Sequence, residues 1–136
     1  MEPTTTISED SKGRRWTARI LAGIASLFII FDGTIHLLVI QPVVDSFQQM
    51  GYPVELSVVL GILELMCLVL YLVPRTAVLG AVLMTGYLGG AVAVQLRIGA
   101  PLFSTALFPI YIGLMFWGGL YLVDERLRSL IPVRRP

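Results

Sequence analysis

An all-α fold, with four helices crossing a membrane as an up-and-down bundle, is what this sequence predicts, and three observations predict it. Hydrophobic residues make up 56% of the chain against 14% charged, with a mean hydropathy of +0.81. A soluble chain this short covers its one core with charge, and this one carries too little to do so. The charges gather at the two termini and at short breaks between apolar runs. Four of those runs reach the roughly 20 residues, at about 1.5 Å each, that a hydrocarbon layer of about 30 Å requires.

In chain order, residues 1–15, "MEPTTTISEDSKGRR", read as a polar cytoplasmic tail with little fixed structure. The apolar run behind them is too long for a cleaved signal and is followed by three more. The first span runs from Trp16 to Ile40, and "QPVVDSFQQMGYP" after it reads as a loop of ordinary turn residues. The second span, Val54 to Val73, ends at "PR", and the third, Thr76 to Leu96, ends at "RIGAP". A fourth, Phe103 to Val123, completes a membrane domain over 16–123 and leaves 124–136 as a basic cytoplasmic tail. Two of these connections are very short, which holds neighbouring helices antiparallel and in contact. A β-barrel would show short alternating segments instead, and none occurs.

Orientation follows from the basic residues. Nine of the ten Lys and Arg (Lys12, Arg14, Arg15, Arg19, Arg75, Arg126, Arg128, Arg134 and Arg135) fall on one side of these spans, and Arg97 alone on the other. The positive-inside rule therefore places both termini in the cytoplasm. Aromatic residues agree, with Trp16, Tyr71 and Tyr121 near the inner interface and Tyr52 near the outer one.

Several kinds of chemistry are excluded. The single cysteine, Cys67, lies among Leu, Met and Val and reads as a small apolar filler. No CxxC, HExxH or glycine-rich phosphate loop occurs, and no basic-aromatic surface for nucleic acid. The partner that the composition names is the lipid bilayer.

Polar residues inside the apolar runs carry the functional reading. Asp32 lies about 12 Å from the outer end of the first span, and His36 about half that. Glu64 falls about 15 Å below the same surface in the second span, and Gln95 and Arg97 close the third. A carboxylate at mid-membrane costs roughly 2.5–3.5 kcal/mol on insertion scales, so it faces the bundle interior, a partner or a wet cavity. Spacing of four puts Asp32 and His36 on one helical face. If that face looks inward, Glu64, Gln95 and Arg97 can join it around a small outward-facing polar chamber. The plainer alternative is a hydrogen-bonded cluster that only fastens helices together.

Glycines read as helix-packing positions. Gly86 and Gly90 form a GxxxG pair with Gly89 and Ala93 nearby, and the fourth span carries Gly113, Gly118 and Gly119. Small residues let helices approach closely in lipid, either within one chain or between copies in a homo-oligomer.

The strings "PRT", "GYLGGA" and "PLF" in the second half, with "FDGTIHLL" and "QQMGYP" in the first, closely resemble the DoxX-like integral membrane proteins of bacteria. The likeness runs from about Arg19 to Pro132. It implies a four-helix protein of the bacterial cytoplasmic (inner) membrane, and small redox or respiratory partners, since the wider group includes the membrane part of a thiosulfate:quinone oxidoreductase. By position, the resemblance sets Asp32 at the family's "DG" aspartate, and Arg75 and Arg97 at its "PRT" and "VRVG"-type arginines. Relatives often have lysine at His36 and histidine at Gln95 and Thr105. With one histidine left, a metal or haem site built on histidines is not expected, and electron transfer would need a quinone or a partner's cofactor. The favoured function is thus an accessory redox subunit that binds a quinone-like or lipid-like molecule. The alternatives are a non-catalytic small-molecule carrier and a membrane scaffold. No catalytic residue is assigned.

Overall fold

The computed structural model describes residues 6–131, and these are helical almost throughout, with no strand among them. The outer part of the N-terminal tail and the arginines at 134 and 135 lie outside the described residues. Helix α1 (Thr6–Leu38) has 33 residues, about 50 Å at the α-helical rise. It begins inside the segment expected to have little fixed structure: nothing in "ISEDSKGRR" breaks a helix except Gly13, and Thr17 Oγ1 donates back to the Gly13 carbonyl at 3.0 Å.

The largest departure from expectation follows. "QPVVDSFQQM" is not a loop but helix α2 (Gln41–Met50), with Val43 and Phe47 buried. Its Pro42 sits in the first turn, where a missing N–H costs nothing, and Gly51 closes it in the left-handed region at φ 73°. Proline and glycine here start and stop a helix rather than mark a turn. Between α1 and α2 the chain bends at Val39, a β-branched residue at φ 50°.

Helix α3 (Leu56–Leu72) ends before Pro74, and Thr76 Oγ1 fastens the turn to the Leu70 carbonyl at 2.7 Å. Helix α4 (Ala77–Arg97) closes on Gly99 at φ 70°. A π-helical turn, Leu102–Ala106, leads into α5 (Phe108–Val123). The short α6 (Glu125–Leu130) follows, its first turn capped by the Asp124 carboxylate, which accepts from the Arg126 and Leu127 amides.

Among the described residues, three stretches are long and apolar enough to cross a membrane: Ser11–Leu38, Ala77–Arg97 and Leu102–Val123. Helix α3 is apolar too but has 17 residues, about 26 Å. Packing closes a ring in which α1 and α4 each lie against both α3 and α5. Away from α2 that ring is filled by Ala25, Ile29, Leu68, Met84 and Phe116. Tyr71 crosses it, its hydroxyl donating to the Phe116 carbonyl at 2.9 Å and its ring edge-on to Phe116 at 4.6 Å. Large apolar side chains such as Leu27, Phe31, Val69 and Leu114 point outward, each at least 60% exposed, as a lipid-facing surface requires.

The glycine reading needs correction. A Cβ on Gly86, Gly89 or Gly90 would meet nothing within 4 Å, so the GxxxG pair makes no close helix contact within the chain. Close approach occurs at other glycines. Gly80 lies directly against the Tyr71 and Leu70 backbone, Gly33 against Leu65, Gly61 against α1, and Gly119 against the Ala18 carbonyl. Gly113 and Gly118 make ordinary contacts.

Candidate functional site

At the α2 end of the ring the core gives way to a cavity of about 790 Å³. Each element contributes to its wall for a local reason. Asp32 and His36 are one helical turn apart on α1, so both face it. Gly61 lets α3 press against α1: a methyl there would stand 2.9 Å from the Gly33 carbonyl oxygen and 3.0 Å from His36 Cβ. Ser57, fully buried one turn earlier, donates to the His36 carbonyl at 2.8 Å. That contact holds the two helices in register, and one turn beyond Gly61 the Glu64 side chain arrives beside the imidazole, 1% exposed.

The resulting cluster is tight. His36 Nδ1 lies 3.4 Å from Asp32 Oδ2 and 3.8 Å from Glu64 Oε2, and 2.9 Å from the Asp32 backbone carbonyl. One donor atom from each of Asp32, His36 and Glu64 falls within 4.8 Å of the others. Tyr87 of α4 adds a hydroxyl that donates to Glu64 Oε2 at 3.3 Å. Two ionised carboxylates this close repel by about 3.5 kcal/mol or more at an effective dielectric constant of about 20, so the site favours a positive charge between them. Among the described residues lining the cavity there is no Lys or Arg to supply one.

Gln95 also lines the cavity. Arg97 does not: its guanidinium donates to the Met50 carbonyl at 3.2 Å and lies 5.9 Å from the Tyr52 ring centre, fastening the end of α4 to the end of α2. Of the five residues singled out from sequence, the structure therefore brings together Asp32, His36 and Glu64, sets Gln95 on the same wall, and places Arg97 outside as a strut.

Sequence reasoning missed three contributors. Helix α2 covers the cavity, with Phe47 edge-on to the His36 ring at 5.9 Å. The signal for it was present in Val43 and Phe47 at i and i+4, between Pro42 and Gly51. Tyr87 left no signal, because a tyrosine in a span reads as packing. The π-helical turn carries Ser104 and Thr105 to the wall, an irregularity that recurs at functional sites. Thr105 and Gln95, the positions where relatives were expected to carry histidine, thus face one cavity. Apart from Ser46, the rest of the wall is apolar or aromatic, including Phe28, Leu60, Leu88, Phe108 and Ile112.

Comparison with known proteins finds the sequence model of the DoxX-like family over residues 20–119. No curated protein and no solved structure matches.

Proposed function

From the premise that the chain belongs to the DoxX-like family and is a multi-pass membrane protein, we propose that it binds a quinone-like or lipid-like molecule as an accessory subunit of a redox or respiratory-linked system. In this reading α3 crosses the bilayer beside α1, α4 and α5, making an up-and-down four-helix bundle in the bacterial inner membrane. Both termini are cytoplasmic and the cavity lies in the outer half.

One observation carries it: a cavity of about 790 Å³ with a hydrogen-bonding cluster on one wall and mostly apolar side chains over the rest. That volume is within the range of small-molecule sites, about 300–1,000 Å³, where a few placed polar groups orient an otherwise apolar ligand. A ring with carbonyl or hydroxyl groups would set its head against Glu64, His36 and Tyr87. Its body would lie along Phe28, Leu60 and Phe108. The carboxyl and imidazole groups could then exchange protons with the head.

The test is to purify the protein in mild detergent and quantify extracted quinone and lipid by mass spectrometry. Retention of one species, weakened in Glu64→Gln and Asp32→Asn, is expected. Absence of any retained or added quinone or lipid at saturating concentration overturns the reading.

A further inference from the structure

Asp32, His36 and Glu64 combine donor types, spacing and charge in a way that an uncharged ligand does not require. We propose that these three side chains bind a divalent first-row transition-metal ion of the zinc class at the cavity wall. Imidazole nitrogen with two carboxylate oxygens is a donor set suited to such ions. They hold these donors at about 2.0–2.2 Å, so neighbouring donors on a tetrahedral ion stand about 3.3–3.6 Å apart. The imidazole Nδ1 already stands 3.4 Å from Asp32 Oδ2 and 3.8 Å from Glu64 Oε2.

Nδ1 is the nitrogen that faces both carboxyl groups; on binding, the imidazole takes the tautomer with its proton on Nε2, and the Nδ1 lone pair exchanges the Asp32 carbonyl for the ion. The widest separation in the set, within 4.8 Å, closes by a small swing of Asp32, the freest of the three at 30% exposed against 1% for Glu64.

The surroundings fit the same assignment. Two ligands one turn apart on α1 and a third from the facing helix is how helical bundles build metal centres. The Tyr87 hydroxyl on Glu64 Oε2 is an outer contact that orients a ligating carboxylate. Charge balance adds a separate argument. Two carboxylates and one divalent ion sum to zero, and a neutral complex suits a wall that is mostly apolar and otherwise uncharged. Arg97, the strong cation that the sequence offers in its place, is engaged with the Met50 carbonyl and Tyr52. Three protein donors leave a coordination position for water or for a ligand in the cavity. The inference does not depend on the quinone reading, since it concerns the empty cavity as much as a filled one.

The experiment uses the full chain with an affinity tag that contains no histidine, stripped with chelator in mild detergent and then offered Zn²⁺ or Co²⁺. After desalting, about one equivalent of Zn²⁺ per chain is expected by elemental mass spectrometry. Co²⁺ should give the intense visible bands of a low-coordinate ion. Glu64→Gln and His36→Gln should weaken binding about 100-fold or more, while Glu125→Gln, an exposed carboxylate 87% open to solvent on α6, leaves it unchanged. Sub-stoichiometric Zn²⁺ in the unmutated chain, a Co²⁺ spectrum like that of the aqueous ion, or equal binding by both site variants overturns the proposal. Should the variants fail to fold, stoichiometry and the Co²⁺ spectrum of the unmutated chain decide it alone.

Discussion

Replacing Gly61 with alanine probes the contact on which the cluster is built. The new methyl would stand 2.9 Å from the Gly33 carbonyl oxygen, 3.0 Å from His36 Cβ and 3.3 Å from Leu37 Cδ2. Carbon contacts settle near 3.5–4.0 Å, so α3 has to retreat from α1 by about 0.5 Å. A backbone carbonyl and a Cβ cannot swing aside as a long side chain would. Overpacking of this kind costs about 1–3 kcal/mol, and alanine recovers at most about 1 kcal/mol in helix propensity. The same retreat stretches the 2.8 Å bond from Ser57 to the His36 carbonyl, and losing it leaves a buried hydroxyl unpaired at about 1 kcal/mol or more. A net loss of about 2 kcal/mol is expected, with the His36–Glu64 separation pushed beyond its present 3.8 Å. Equilibrium unfolding in mixed micelles, followed by tryptophan fluorescence, measures the first effect, and ligand or Zn²⁺ retention the second. Stability unchanged from the parent chain, with full retention, would refute the claim that this crossing assembles the site.

Other outcomes follow from the same structure. Gly86→Ala and Gly90→Ala, which meet no neighbouring atom, should each stabilise the chain by up to about 1 kcal/mol in the same assay; a loss of stability with a smaller particle mass in detergent would identify the pair as a contact between copies. Arg97→Ala removes the bond to the Met50 carbonyl and should speed amide exchange across residues 41–50 about fivefold, for a loss near 1 kcal/mol. Val39→Asn replaces a β-branched side chain at φ 50° with one that tolerates this region, and should raise stability by about 1 kcal/mol in the unfolding assay. Reporter fusions check orientation: a C-terminal fluorescent protein should light up in cells and a C-terminal alkaline phosphatase stay inactive, and the reverse result would overturn the cytoplasmic assignment.

The helical class and the apolar stretches were legible in the sequence because run length and charge placement are properties of neighbouring residues. The family was legible for the same reason, from short strings such as "PRT" and "GYLGGA". Asp32 and His36 could be put on one face from their spacing alone. Helix α2 was legible in principle, but its proline and glycine were read as turn residues when they mark the two ends of a helix. The GxxxG pair misled because the motif records small side chains and says nothing of whether a second helix lies against them.

Hydropathy and charge thus establish a multi-pass α-helical membrane protein without any coordinates, since insertion free energy accumulates along each segment. Which side chains share one cavity is a different kind of question. It depends on the rotation of each helix about its axis and on the distance at which pairs of helices stop. Here Gly61 and Ser57 set that distance between α1 and α3, Tyr87 reaches Glu64 from α4, and Arg97 ties the end of α2 to the end of α4. Contacts between residues 21 to 47 positions apart decide these, and no local pattern in the chain encodes them.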